Sequence, residues 1–304
     1  MGAGIIGAMP TLQANGIEIA YDSFGDAAGR PLLLVMGLGA QMLLWDEAFC
    51  ERLAEHGHYV VRFDNRDVGL STKFDAEGVP NIVALIQGIA AGKPASAPYS
   101  LDDMADDAAA LLDALGLETA HICGASMGGM IAQTIAIRHP QRVRSLVSIM
   151  STTGNPSLPP ATPAAMAMLM TPAPADREGN IERAVNVYRA IGSPGFPFDE
   201  ADVRDRAGLL FDRSYYPAGM VRQMAAILAH GSRVEALRQV STPTLVIHGD
   251  ADPLVPIEGG RDTAASVPGS AMLVIEGMGH DLPKAAWPRI TGAIAEHTRK
   301  SEAA

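Results

Sequence analysis

Ala120-His121-Ile122-Cys123-Gly124-Ala125-Ser126-Met127-Gly128-Gly129-Met130-Ile131-Ala132 reads as a short apolar strand, a sharp turn carrying one serine, and a helix start. The segment Gly124-Ala125-Ser126-Met127-Gly128 fits G-x-S-x-G. A strand-to-helix turn this tight crowds its flanking backbone, so a Cβ at either glycine would clash. Such a turn lifts the Ser126 hydroxyl above the sheet. It also aims the Met127 N–H beside that oxygen, at a helix N-terminus where negative charge is favoured. The competing reading is a glycine-rich turn with an incidental serine. The strand before it and the helix after it weigh against that.

Working outward, strands and helices alternate on both sides. Downstream, Val143 to Met150 is a second apolar strand, after a helix that stops at His139-Pro140. Upstream, Leu32-Leu33-Leu34-Val35-Met36 and Tyr59-Val60-Val61-Arg62-Phe63 are continuous apolar runs, as expected of strands covered on both faces. Helical periodicity spans Leu44 to His56, and Ser100 opens a helix to about Leu115 with acids in its first turn. Thr11 to Tyr21 alternates around Asn15-Gly16, a hairpin signal. Phe74 to Tyr99 is an insertion whose apolar piece, Ile82 to Ile89, predicts a short helix over the sheet edge. From Thr152 to Arg233 no strand signal appears. Pro156, Pro159, Pro160 and Pro163 precede Met166, Met168 and Met170, and helical stretches lie near Ile181–Ile191 and Ala218–His230. The alternation then resumes with strands Pro243–Ile247 and Ala271–Ile275 and helices Ile257–Val267 and Pro283–Lys300. The expectation is an α/β fold with a mostly parallel central sheet covered by helices on both faces. The core would span 11–151 and 234–300, with a helical lid inserted at 152–233.

Composition limits the function. The 304 residues suffice for one large core with an insertion, and 48% hydrophobic with 19% charged residues is a globular composition. A net charge of −11 argues against nucleic acid or an anionic membrane as partner. Cys50 and Cys123 both lie in apolar contexts, which suits a reduced, cytoplasmic protein. Met1 to Pro10 lacks a signal peptide's basic start and full apolar region. No apolar run reaches the roughly 18 residues of a membrane span.

A serine hydroxyl is a weak nucleophile alone. It needs a histidine to take its proton and a carboxylate to hold that histidine's tautomer. In a parallel sheet the functional loops leave the carboxyl ends of the strands. The strand ending at Ile247 is followed by His248-Gly249-Asp250-Ala251-Asp252-Pro253, and the strand ending at Ile275 by Glu276-Gly277-Met278-Gly279-His280-Asp281. Ser126, Asp252 and His280 then follow the chain order Ser…Asp…His. Asp250 competes for the acid role, but its place next to the strand end suits turn stabilisation, so Asp252 is preferred. Glu276 and Asp281 read as loop solvation, His248 as a local hydrogen bonder, and Cys123 as a buried small hydrophobe.

These motifs carry a resemblance. The chain resembles an α/β-hydrolase over nearly its whole length and is similar to the aclacinomycin methylesterase-like branch of serine esterases. The resemblance rests on Leu32 to Gly37, Trp45, Arg62-Phe63-Asp64-Asn65-Arg66-Asp67-Val68-Gly69-Leu70-Ser71-Thr72, and Gly124 to Gly129. Common superfamily versions have glycine at the position of Asp67 and histidine at that of Met36. The resemblance implies the α/β-hydrolase fold, Ser126, Asp252 and His280 as the triad, and the N–H groups of Leu38 and Met127 as the oxyanion hole.

The expected reaction is hydrolysis of a small to medium hydrophobic ester or lactone through an acyl-enzyme, with no metal or organic cofactor. Met168 and Met224 are candidate substrate contacts, and Ile82 to Ile89 a candidate second wall. A carbon–carbon bond hydrolase or cofactor-free perhydrolase could use the same triad. A non-catalytic small-molecule receptor is the reading from another class.

Overall fold

The computed structural model describes residues 9–303, so the signal-peptide reading falls, apart from Met9 and Pro10, outside the described residues. In chain order the elements of the first half are β1 (Thr11–Ala14), β2 (Ile17–Phe24), β3 (Arg30–Val35), α1 (Glu47–Glu55), β4 (His58–Phe63), α2 (Ile82–Ala90), α3 (Leu101–Ala114), β5 (Ala120–Ala125), α4 (Met127–Arg138) and β6 (Val143–Ile149). Four helices follow without a strand between them: α5 (Pro163–Met170), α6 (Arg177–Ile191), α7 (Glu200–Arg213) and α8 (Pro217–His230). The chain closes with α9 (Val234–Leu237), β7 (Thr244–Gly249), α10 (Ile257–Ser266), β8 (Ala271–Ile275) and α11 (Trp287–Glu302).

The eight strands form one sheet in the order β1-β2-β4-β3-β5-β6-β7-β8. The β1–β2 hairpin turns at Asn15 and Gly16, both at positive φ, as a two-residue turn between twisted strands requires. β2 pairs antiparallel with β4, and every pairing from β4 to β8 is parallel. Cores lie on both faces. Val35, Ile122, Leu146 and the α3–α4 residues Leu111, Ile131 and Ile135 fill one. Leu34, Cys123, Val147, Ile247, Phe49 of α1 and Ile290 of α11 fill the other. β4 leads away from β3 on one side and β5 returns on the other, so the strand order reverses at β3 and β5. The crevice outside the carboxyl ends at such a switch point is where open α/β sheets place ligands.

Three expectations change. The predicted Leu44–His56 helix is divided: one 3₁₀ turn at Met42–Leu44, then α1, whose Asp46 cap accepts from the Ala48 amide at 2.9 Å. α7 was not anticipated because its apolar spacing is weak. It is held by the Asp199 cap and by i,i+4 ion pairs, Glu200–Arg204 at 3.0 Å and Asp202–Arg206 at 2.8 Å. α2 forms where Ile82 to Ile89 predicted it but packs on α8, with none of its residues buried. Among the described residues no helix is long and apolar enough to cross a membrane.

Candidate active site

Ser126 stands between β5 and α4 at φ +57, a left-handed conformation that serine adopts only under constraint. The constraint comes from its neighbours. A Cβ on Gly124 would overlap the Gly128 carbonyl, and one on Gly128 would overlap the Val35 carbonyl. The Ser126 amide donates to the Ile149 carbonyl at 2.9 Å. Its carbonyl accepts from the Gly129 amide at 2.9 Å and from the Ser151 hydroxyl at 2.8 Å. The hydroxyl is thereby held above the β3/β5 switch point.

The loops after β7 and β8 bring their side chains to the same place. His280 Nε2 lies 3.0 Å from Ser126 Oγ, and His280 Nδ1 lies 2.7 Å from Asp252 Oδ2. The other Asp252 oxygen accepts from the Leu254 and Val255 amides, each at 2.9 Å, so the carboxylate is fixed by its own loop. Asp250 points elsewhere and accepts from the Gly277 amide at 2.7 Å, joining the two loops. His248 is buried beside Asp252, with Nε2 2.8 Å from the Val255 carbonyl, and burial lowers its pKa. A neutral ring there carries its proton on Nε2, the nitrogen facing that carbonyl.

Leu38, in the turn after β3, and Met127, at the first position of α4, line the same cavity as Ser126 and His280. Among the described residues neither amide has a hydrogen-bond acceptor. The cavity holds about 1200 Å³ beneath α5 to α8. Met168, Leu169, Tyr188, Met220, Met224 and Ile227 give it apolar walls, and Met36, Trp45 and Met150 contribute from the sheet side. Both methionines singled out from sequence are therefore in contact with the space above Ser126. Ile82 to Ile89 are not: α2 lies behind α8 and contributes nothing to the lining, so the expected second wall is absent.

Asp281 also departs from expectation. It lines the cavity and accepts from the Ser193 hydroxyl, and burial raises its pKa against the opposing effect of that bond. Around it the α6–α7 turn is laced to the histidine loop. The His280 amide donates to the Ile191 carbonyl at 2.7 Å, the Gly279 amide to Ser193 Oγ at 2.9 Å, and the Gly195 amide to the Gly277 carbonyl at 2.9 Å.

The turn Asp64-Asn65-Arg66-Asp67 supports the site in ways the sequence reading did not assign. Asp64 pairs with Arg213 of α7 at 2.7 Å, Arg66 with Asp107 of α3 at 2.6 Å, and Asp67 with Arg222 of α8 at 2.7 Å, all buried. Asn65 donates to the Met36 carbonyl at 2.9 Å. Asp67 has φ +68, a conformation that glycine adopts without strain. The available signal was a run of four polar residues directly after an apolar strand.

Comparison with known proteins agrees with this architecture. Residues 30–283 match the alpha/beta hydrolase fold family. The chain is 32% identical over 320 residues to rhodomycin D methylesterase DauP of Streptomyces sp. (strain C5), covering 96% of this chain and 99% of the relative. It is 32% identical over 314 residues to rhodomycin D methylesterase DnrP of Streptomyces peucetius, with the same coverage. The crystal structure of the enol-lactonase from Burkholderia xenovorans LB400 superposes with a TM-score of 0.71 at 20% identity, covering 95% of this chain and 99% of that one. The chain therefore belongs to the α/β-hydrolase family, on the branch that resembles the methylesterases.

Proposed function

We propose that this carboxylic ester hydrolase works by acyl transfer through Ser126 on a bulky, uncharged ester or lactone. The observation that carries the reading is the hydrogen-bonded chain Ser126–His280–Asp252, with distances of 3.0 and 2.7 Å, opening into an apolar cavity of about 1200 Å³. His280 takes the Ser126 proton as Oγ attacks the ester carbonyl. Asp252 holds the proton on Nδ1, so that Nε2 is free to act as base, and stabilises the imidazolium that forms. The Leu38 and Met127 amides face the developing oxyanion, and a preorganised amide pair stabilises that charge more than the neutral carbonyl. His280 then protonates the leaving alcohol. Water, deprotonated in turn by His280, releases the acid. These steps use only protein groups and water.

The substrate class follows from size. Ligand pockets usually span about 300–1,000 Å³; this one, at about 1200 Å³, is larger, which supports a bulkier substrate than the small to medium ester expected from the sequence. The two relatives named as rhodomycin D methylesterases support a methyl ester. Residues 152–233 would act as the lid, with Met168 and Met224 against the apolar body of the substrate. The two free, buried cysteines fit a cytoplasmic setting. Turnover of a panel of methyl and p-nitrophenyl esters of graded size, run beside a vinylogous diketone, tests the proposal. It predicts ester hydrolysis that improves with acyl bulk. Cleavage of the diketone alone would assign the carbon–carbon bond reaction instead.

A further inference from the structure

We propose that Gln223 of α8 is a positioning residue that presets the Leu38 amide for the oxyanion; the inference rests on the acyl-transfer reading. Gln223 is fully buried and does not line the cavity. Its Oε1 accepts from the Gly39 amide at 2.8 Å, and its Nε2 donates to the Arg66 carbonyl at 2.8 Å. A side-chain amide is the group that can accept and donate at once from one planar end.

The geometry isolates one peptide. Asn65 fixes the Met36–Gly37 peptide through its carbonyl at 2.9 Å, and Gln223 fixes the Leu38–Gly39 peptide through its N–H. Between them lies the Gly37–Leu38 peptide. Its carbonyl is occupied by the Ala40 amide at 3.2 Å. In a trans peptide the C=O and N–H point in opposite directions. With the carbonyl turned back into the loop, the Leu38 N–H is directed away from it, on the cavity side. The anchor itself is rigid. A Cβ on Gly219 would overlap the Asp67 carbonyl, so α8 meets the turn backbone to backbone, and Arg222 binds Asp67 through Nε and Nη2, at 2.7 and 2.9 Å. One helix of the 152–233 segment is thus built into the oxyanion loop rather than resting over it.

The test compares the wild-type protein with Gln223→Met and Gln223→Leu, each of which keeps an apolar side chain of similar bulk and removes both bonds. Three quantities are read: kcat and KM for a p-nitrophenyl ester, Ki for a trifluoromethyl ketone that forms a tetrahedral oxyanion adduct, and Ki for the matching methyl ketone, which mimics the ground state. Loss of one oxyanion donor lowers kcat by roughly 10²–10³-fold, so a misaligned donor is expected to lower it roughly tenfold to a hundredfold. KM and the methyl-ketone Ki should stay within about twofold, and the trifluoromethyl-ketone Ki should rise with the fall in kcat. If Gln223→Met does not fold, Gln223→Leu carries the same comparison. An active wild type whose kcat and trifluoromethyl-ketone affinity are unchanged in the folded variants would overturn the role of Gln223 alone, as would a parallel loss of affinity for both ketones. A wild type inert toward every ester would overturn the acyl-transfer reading and this role with it.

Discussion

At the scale of the residue, the site depends on groups held in one orientation. Ser126→Ala and His280→Ala are each expected to lower kcat about 10⁶-fold, and Asp252→Asn about 10⁴-fold, if the losses measured in serine proteases transfer. Asp250→Asn should leave kcat within about tenfold, because its bond to Gly277 joins two loops without touching the His280 ring. The reverse ranking of the two aspartates would reassign the acid. Asp67 offers a second test. Burial pushes its carboxyl up, but Arg222 and the Phe74 amide outweigh that and hold it below the usual carboxylate range. Asp67→Gly relieves a positive φ that costs about 1–2 kcal/mol, yet strands Arg222, whose side chain is 1% exposed, without its carboxylate. Breaking a buried pair costs about 3–5 kcal/mol, so urea denaturation should show net destabilisation. A more stable Asp67→Gly protein would mean that the pair contributes little.

At the scale of the element, the turn after β3 should act through its backbone. Leu38→Ala is expected to keep most of the rate, whereas Leu38→Pro removes the N–H and should lower kcat roughly a hundredfold or more. Equal losses in the two variants, with circular dichroism unchanged, would contradict the amide's role. The helices α5 and α8 make the cavity's apolar wall. Met168→Glu or Met224→Glu should therefore raise KM for bulky esters much more than for acetates, with Tm nearly unchanged because both side chains are only partly buried. A fall in Tm with the size profile intact would make these methionines packing residues. Strands and the elbow were legible in sequence because their signals are local: an apolar run of five residues, or glycines two before and two after a serine. α7 was not, because charge pairs and a cap hold it instead of an apolar stripe. The outward placement of α2 was not legible either. Its sequence is apolar apart from Gln87, which reads as a buried wall, yet Val83, Ile86 and Ile89 are exposed and the helix packs on α8.

At the scale of the whole molecule, the end of the sheet away from the site contributes to the loss of stability in acid. His58 and His121 are buried, and burial lowers their pKa values from 6.5 to about 4 and about 3. Their rings stack edge to face, with His58 held by the Leu53 carbonyl and the Thr298 hydroxyl and His121 by the Ser145 hydroxyl. The unfolded chain binds these protons below about pH 6.5 while the folded chain refuses them. Stability is thus complete above that pH and declines as pH falls toward 4. The slope of urea midpoint against pH between 6.5 and 5, where most carboxylates remain ionised, should shrink in a His58→Gln, His121→Gln double variant that still folds. An unchanged slope would place the proton uptake elsewhere. The long-range ties were illegible for a plain reason. Asp64 to Arg213, Asp67 to Arg222 and Gln223 to Gly39 each join residues separated by about half of the chain or more, and no periodicity records such a pairing. The Ser…Asp…His order was readable because topology confines the loops that could supply it to the carboxyl ends of neighbouring strands.

The most direct test of acyl transfer through Ser126 is a rapid-mixing experiment with a p-nitrophenyl ester of a bulky acid, followed by intact-mass measurement of the quenched protein. The account predicts a burst approaching one p-nitrophenol per protein wherever deacylation is the slower step, and an acyl adduct that maps to Ser126 and is absent from Ser126→Ala. Ester turnover that persists in Ser126→Ala, or an adduct on another residue, would contradict it.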